Sequence, residues 1–244
     1  MIRLPLLDPA TPQRFPDPCH ALRDPNGLLA FGGGLSPARL LAAYGQGIFP
    51  WYGEGEPILW WSPDPRCVFR TATLRVNRSL RRQLRGKPWR VSVDGAFEAV
   101  IRACAAPREA RGGTWIVPEM MDAYVALHRL GHAHSVEVWD DAQLVGGIYG
   151  VAVGRLFCGE SMFSAESGGS KLALMALAAL LRSWGWPLID AQVANAHTLG
   201  LGAKEIPRES YLREAARLTT LPGQVGSWAS CAARLQPADL LDGA

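Results

Sequence analysis

This 244-residue sequence lacks the features that mark several special classes of protein. Its five cysteines are an odd number and form no CxxC pair, so neither a zinc ribbon nor a disulfide framework is indicated. The longest helical apolar run, residues 172–181, is about half as long as a membrane span. The first residues contain no apolar stretch of signal-peptide length. We therefore expect a cytoplasmic protein with reduced thiols, no membrane association and no bound metal.

Acidic residues are missing from one segment, although the net charge of the whole chain is only +3. Residues 70–90 contain no Asp or Glu but eight Arg or Lys residues. At helical spacing, four of them lie near one face: Arg78, Arg81, Arg82 and Arg85. A solvated helix face and a site for an anionic polymer both account for such a run, and arginine forks suit phosphate oxygens.

Regular secondary structure is excluded over most of residues 47–66, GIFPWYGEGEPILWWSPDPR. Its four prolines remove backbone donors and fix φ, which is incompatible with a continuous helix or a central strand. The segment also contains Trp51, Trp60 and Trp61. These rings either pack in the core or form a rigid stacking surface for a nucleobase, and composition alone leaves both open.

The remaining pattern predicts a mixed α/β fold. Helices are predicted at 35–47 (capped by Ser36), 79–87, from a cap at Asp94 to about 105, 118–131 and 167–185, with a turn at 111–115. Strands are predicted at 67–76, 89–94, 134–140, 142–154, 155–163 and 187–192. The order gives an antiparallel meander that leads into a helix and then a strand. We predict a domain boundary near Arg66, between a small N-terminal domain (1–66) and a larger domain (67–244).

Polar residues inside apolar strands are the candidates for chemistry. Glu160 interrupts the strand FCGESMF, where a lone carboxylate is costly to bury. It either forms a structural ion pair or receives a cationic substrate group. Asp190 and Gln192 end the strand LIDAQ, two residues apart and therefore on one face. Two weaker alternatives are a Ser161/His197/Asp190 triad and a metal site at His132 and His134.

Taken together, the motifs resemble one known family. The motifs follow one another along the chain and cover most of residues 15–212: PNGLLAFGGGLSPARLLAAYGQGIFPWY, PILWWSPDPR, GTWI, LHRLGHAHSVEVW, LVGGIYGV, LFCGESMFS, SKLAL, LIDAQ and LGAKEIPR. In this density and order they closely resemble the leucyl/phenylalanyl-tRNA–protein transferases. The resemblance implies transfer of leucine or phenylalanine, with methionine a further donor, from aminoacyl-tRNA to an N-terminal Arg or Lys. It also implies marking of the acceptor for degradation, a GNAT-like acyltransferase fold for the larger domain, and no cofactor. We expect a monomer.

The resemblance also implies roles for individual residues. Trp51 and Trp115 match positions that hold the 3′ adenosine of the tRNA, and Glu160 matches the acidic residue near the acceptor N-terminus. Asp190 and Gln192 match the catalytic pair. Six positions surround the amino-acid side-chain pocket: Tyr124, Ile148, Phe157, Leu174, Leu177 and Ile189. The basic segment, with Arg78, Arg81, Arg82 and Arg85, matches a stretch that contacts tRNA phosphates.

Chemical reasoning assigns modest tasks to these groups. The donor is an activated ester, and about a tenth of acceptor α-amines are neutral at pH 7, so no strong base is required. We expect Gln192 to orient the reactants, with Asp190 fixing its side-chain amide by a hydrogen bond. Two other classes of function stay open: a non-catalytic RNA-binding module and a coenzyme A-dependent N-acetyltransferase.

Overall fold

The computed structural model describes residues 4–74, 78–109, 115–235 and 240. Apart from Trp115, the predicted turn at 111–115 lies outside the described residues, as does the end of the predicted strand at 67–76. Within the described residues, no helix is both long enough and apolar enough to cross a bilayer. All five cysteines are described, and none of them forms a disulfide.

A small sheet forms the N-terminal part of the molecule. Its strands are β1 (Leu6–Leu7), β2 (Leu28–Gly32), β3 (Phe49–Pro50) and β4 (Leu59–Trp61), in the order β1-β2-β4-β3. Helix α1 (Pro37–Gly45) joins β2 to β3. The Ser36 side chain accepts a hydrogen bond from the Arg39 backbone N–H, and Pro37 fits the first turn because that turn needs no internal donor. The predicted helix and its cap are confirmed.

The larger sheet has seven strands within the described residues, in the order β11-β5-β10-β9-β8-β7-β6. They are β5 (Arg66–Arg70), β6 (Arg90–Val93), β7 (Ala133–Asp140), β8 (Gln143–Val153), β9 (Leu156–Ser164), β10 (Leu188–Gln192) and β11 (Lys204–Ile206). β7, β8 and β9 form an antiparallel meander, and helix α5 (Gly169–Ser183) connects β9 to β10, which runs parallel to β9. This is the predicted sequence of meander, helix and strand in a mixed α/β fold.

Helices cover both faces of the larger sheet. The others are α2 (Arg78–Leu84), α3 (Phe97–Glu109), α4 (Pro118–Arg129), α6 (Ala196–Gly200) and α7 (Arg208–Thr219). Neighbouring residues of β10 alternate between two apolar cores, as strand geometry requires. Leu188 faces the core shared with the small sheet, α3, α4 and α7, whereas Ile189 faces the core around α5. The strand end at Gln192 therefore lies between both layers.

Two predicted boundaries are wrong. The strand predicted to begin at Cys67 ends at Arg70, because a turn follows at 71–73. Asp94 does not cap α3: its φ is 56°, and its carboxylate accepts hydrogen bonds from the backbone N–H groups of Ser135 and Trp228. The start of the helix is bonded instead by the Glu137 carboxylate, which accepts from the backbone N–H groups of residues 95 and 96.

Candidate active site

A cavity of about 440 Å³ opens at the ends of β9 and β10. Segments distant in sequence contribute to it, including the Trp/Pro loop, β8, β9, α5 and β10. Eight of the residues to which the resemblance assigns a role line it: Trp51, Trp115, Ile148, Glu160, Leu174, Ile189, Asp190 and Gln192. The structure thus brings together the aromatic residues, the carboxylate and the strand-end pair in one concave site.

Three residues expected around the side-chain pocket lie behind the cavity wall. Tyr124 is fully buried in the core that is shared with the small sheet, and its hydroxyl donates to Glu160. Phe157 and Leu177 are buried in the core around α5, where the Phe157 ring lies 6.0 Å from that of Trp228. Of the six expected positions, Ile148, Leu174 and Ile189 line the cavity, together with other apolar residues such as Phe69 and Met162.

The Glu160 carboxylate is 8% exposed and is held by neutral donors. Its Oε1 accepts from the Tyr44 hydroxyl at 2.8 Å and from the Gln192 side-chain amide at 2.7 Å. Its Oε2 accepts from the Tyr124 hydroxyl at 2.8 Å. No ion pair to Glu160 is found among the described residues, so it is not the structural ion pair that the sequence left open.

The two tyrosines also contact each other, with their hydroxyl oxygens 2.6 Å apart. Three short oxygen–oxygen contacts therefore join Tyr44, Tyr124 and Glu160, but two phenols supply only two protons. An ionised carboxylate leaves one contact without a proton, whereas a protonated carboxyl completes the ring. Burial raises the pKa of Glu160 to about 7, against the lowering effect of its three donors.

Beneath Glu160 lies a second, charged pair. Arg66 donates from Nε and Nη2 to the two oxygens of Asp190, at 2.8 and 2.6 Å, and both side chains are 0% exposed. Arg66 also donates to the Gly47 carbonyl, and the Tyr211 hydroxyl donates to Asp190 at 2.8 Å. This bidentate geometry satisfies both charges away from water.

Gln192 projects into the cavity because the strand is irregular there. A bulge between Asp190 and Gln192 lets this stretch of β10 pair with the adjacent residues Val68 and Cys67 of β5. Gln192 has φ 60°, and its backbone N–H donates to Asp190 Oδ1 at 3.0 Å. The predicted bond from Asp190 to the side-chain amide is wrong, since that amide donates to Glu160.

The tryptophans of the Trp/Pro loop divide into two groups. Trp60 is fully buried, and its Nε1 donates to the Gly32 carbonyl. Trp51 is 44% exposed at the cavity rim, with its ring 5.5 Å from that of Trp61. Trp61 donates to the Trp51 carbonyl at 2.6 Å, which holds that backbone in place. Core packing therefore accounts for Trp60, whereas Trp51 presents a supported aromatic surface.

Comparison with known proteins bears directly on this arrangement. The model of the leucyl/phenylalanyl-tRNA protein transferase family matches residues 68–216, and that of its N-terminal domain matches 33–64. The chain belongs to this transferase family. The leucyl/phenylalanyl-tRNA–protein transferase of Xanthomonas euvesicatoria pv. vesicatoria (strain 85-10) is 63% identical over 217 residues, 88% of this chain and 87% of the relative. That of Xylella fastidiosa (strain M12) is 56% identical over 227 residues, 91% and 92% of the two chains.

Solved structures give a much weaker likeness. L-PGS from Bacillus licheniformis matches at 10% identity and a TM-score of 0.40, over 70% of this chain and 55% of that chain. At this identity and TM-score the likeness carries no argument about the chain.

Two alternative sites find no support in this transferase-family chain. His197 lines the cavity, but the Asp190 carboxylate is bonded to Arg66, Gln192 and Tyr211, which leaves it unsuited to orient a triad histidine. His134 bonds Asp94 and stacks on the Trp228 ring. Within the described ranges, no group of three His, Cys, Asp or Glu side chains could hold a metal ion.

Tyr44, Arg66 and Tyr211 are the site residues that sequence reasoning missed. Each is buried and bonded to a carboxylate that the sequence did single out. The usable signal is indirect: buried carboxylates require donors, so Glu160 and Asp190 each predict some buried partner. Nothing in the local pattern says which residue supplies it.

The raised pKa of Glu160 predicts a pH-dependent component of stability. The unfolded carboxyl titrates near 4.5 and the folded one near 7, so this contribution is present below pH 4.5 and is lost as the pH rises through 7. From pH 5 to pH 8, we expect the free energy of unfolding of the wild type to fall by about 2 kcal/mol more than that of Glu160→Gln. Urea unfolding at both pH values measures the difference, and parallel pH profiles would contradict it.

Proposed function

We propose that this chain transfers leucine or phenylalanine from aminoacyl-tRNA to the N-terminal Arg or Lys of acceptor proteins. The observation that carries the proposal is the single cavity shared by Trp51, Trp115, Glu160 and Gln192. A ring surface for a nucleobase, a carboxylate for a cation and an amide for orientation are the groups that such a transfer requires. Methionine, an unbranched apolar side chain, is a further candidate donor.

The donor end fits the aromatic and apolar part of the cavity. Stacking of the 3′ adenosine on a ring such as Trp51 contributes about 1–3 kcal/mol. Ile148, Leu174 and Ile189 offer the aminoacyl side chain an apolar wall, worth about 0.8 kcal/mol for each methylene that is buried. This favours large apolar donors over alanine.

The N-terminal residue of the acceptor protein is proposed to bind at the Glu160 carboxylate. A basic side chain at the acceptor N-terminus would approach the carboxylate and stabilise its ionised form, so binding near pH 7 releases the proton held with Tyr44 and Tyr124. An acidic N-terminus would meet repulsion from the same group, which adds discrimination against wrong acceptors. Glu160 thereby couples charge recognition to its own ionisation.

The reaction itself consists of one substitution. The neutral α-amine attacks the ester carbonyl, the peptide bond forms, the ester C–O bond breaks, and the ribose hydroxyl leaves with a proton derived from the amine. Gln192 orients the amine or the carbonyl, and correct placement of two reactants is worth about 7–11 kcal/mol. Asp190 contributes by holding the Gln192 backbone, which makes it a positioning residue.

The decisive experiment uses the full chain, labelled leucyl-tRNA and peptides that differ only in their first residue. Peptides beginning with Arg or Lys should be labelled, and those beginning with Asp or Glu should not. Binding of leucyl-tRNA without labelling of any peptide would favour an RNA-binding module instead. Transfer of an acetyl group from acetyl-coenzyme A to the same peptides would favour an acetyltransferase.

The basic helix α2 is the proposed contact for tRNA phosphates. Arg78 and Arg82 are exposed on it, Arg81 is half-buried, and Arg85 is exposed immediately after its last residue. Replacing all four by Gln should reduce the slope of log affinity against log salt concentration by about 3, because each phosphate contact releases counterions. Filter binding of leucyl-tRNA over a salt series measures this slope. As a control, the double variant Arg102→Gln with Arg129→Gln should leave the slope unchanged. If the control variant changed the slope as much as the four-fold variant, α2 would be removed from the proposed interface.

Three further points belong to the same proposal. We propose a boundary near Arg66 between a small N-terminal domain (1–66) and the transferase domain (67–244), with support from the two separate sheets and the gap between the family matches. We also propose that the protein acts as a monomer in the cytoplasm, where charged tRNA is available. The leucine or phenylalanine added at the N-terminus would then mark the acceptor protein for degradation.

A further inference from the structure

A second cavity, of about 190 Å³, adjoins the first and is not used by the proposed reaction. His197 lines both, so it forms a wall between them. From this wall the second cavity reaches helix α2, which contributes Leu80. The space thus lies between the catalytic cavity and the basic helix, along the direction that a polynucleotide would take from one to the other.

The lining of this cavity is basic on one side and apolar on the other. Among the seven described residues that line it, Lys171 and His197 are ionisable and none is a carboxylate. Lys171 has no ion pair within the part of the chain that the structure describes. Leu80, Met175 and Leu201 supply a mostly buried apolar surface. Such a pairing suits a phosphate next to the flat face of a base.

The charge state of His197 agrees with this use. Burial, reinforced by the nearby Lys171 ammonium, lowers the pKa of the His197 imidazole. At neutral pH the ring is therefore uncharged and offers one donor and one acceptor, while Lys171 carries the positive charge. A phosphate in the cavity would interact with both residues at once.

We propose that this cavity binds the nucleotide that precedes the terminal adenosine of the donor, with the intervening phosphate at Lys171 and His197 and the base against Leu80, Met175 and Leu201. The proposal rests on the proposed function, because it takes the first cavity as the site of the aminoacyl-adenosine. Every transfer RNA ends in the same CCA sequence, so the site recognises a cytidine common to all donors. It contributes affinity and alignment, while discrimination among amino acids stays with the first cavity.

The test compares two short donors, leucyl-adenosine and leucyl-cytidylyl-adenosine, with an Arg-initiated peptide as acceptor. The quantity measured is the ratio of their kcat/KM values. In the wild type the cytidine-containing donor should be better by at least tenfold, the size of one hydrogen bond to a charged group. Lys171→Met should bring the ratio to within about twofold of unity and leave kcat/KM for leucyl-adenosine unchanged, which also shows that the variant is folded.

Two controls complete the test. Lys171→Arg should retain most of the ratio because a cation remains, and Lys204→Met should retain all of it, since Lys204 lines neither cavity. If the short donors turn over too slowly, adenosine and cytidylyl-adenosine are compared as inhibitors of transfer from leucyl-tRNA.

Three results would overturn the inference. The wild-type ratio could be near unity, Lys171→Met could leave the ratio unchanged, or Lys171→Met could alter the KM for the acceptor peptide and not the ratio. Absence of transfer even from intact leucyl-tRNA would instead contradict the proposed function, so the two failures are distinguishable.

Discussion

Replacing Arg66 by methionine is expected to lower the free energy of unfolding by about 3–5 kcal/mol. The change leaves the Asp190 carboxylate fully buried without its cationic partner, while the Tyr211 hydroxyl and the Gln192 backbone N–H still donate to it. A buried charge without its partner loses the attraction that offset its desolvation. Urea unfolding of the full chain measures the loss.

The same strand offers a matched control. Arg70 of β5 forms an ion pair with Glu214 at 2.5 Å, but the two side chains are 37% and 21% exposed. Solvent screens this pair, so Arg70→Met should cost less than about 1 kcal/mol. The double variant Arg66→Met with Asp190→Leu should recover more than half of the loss, because no buried charge remains. Equal effects of Arg66→Met and Arg70→Met would mean that the buried pair does not stabilise the fold.

This expectation changes how Asp190 is to be tested. Taken from the sequence alone, Asp190→Ala is a kinetic variant that lowers the transfer rate and spares the binding of aminoacyl-tRNA. In the structure it strands the buried Arg66 guanidinium, so loss of folding and loss of chemistry would be measured together. The role of the strand end in transfer is therefore better tested at Gln192.

Local sequence signals account for most of the helices and strands. Ser36 and Pro37 begin α1, and Gly131, with φ 77°, follows α4 where a left-handed residue is required. The meander was predictable because each strand is a short, mostly apolar run bounded by turn residues, such as Asp140–Asp141 and Gly154, and these signals are local. Asp94 was assigned wrongly because its carboxylate accepts from residues far along the chain, Ser135 and Trp228, which no local signal reveals.

The site could not be assembled from local signals. Tyr44 and Glu160 are 116 residues apart, and Arg66 and Asp190 are 124 apart. Period and capping rules extend over a few residues and say nothing about such pairs. The residues of the site were identified by resemblance to a family, whereas their donors became visible only in the folded chain. The bulge at Gln192 likewise breaks the period of two on which the prediction of a shared face with Asp190 relied.

Replacing Gln192 should separate catalysis from stability. Gln192→Ala and Gln192→Gly both remove the amide that donates to Glu160, so each should lower kcat for transfer to an Arg-initiated peptide by about 10²-fold. Both variants keep the backbone N–H that Asp190 accepts, and Trp51 and Trp115 are untouched. The KM for leucyl-tRNA should therefore change by less than about twofold in each variant.

The two variants should nevertheless differ in stability. Gln192 has φ 60°, which costs a residue with a Cβ about 1 kcal/mol or more, whereas glycine adopts this conformation freely. Gln192→Gly should thus be more stable to urea than Gln192→Ala by about 1 kcal/mol, with equally low activity. Gln143→Ala, at the exposed start of β8, should change neither quantity. If the two variants were equally stable, the left-handed backbone at Gln192 would not be strained. If either variant kept a kcat near that of the wild type, the Gln192 amide would have no role in the reaction.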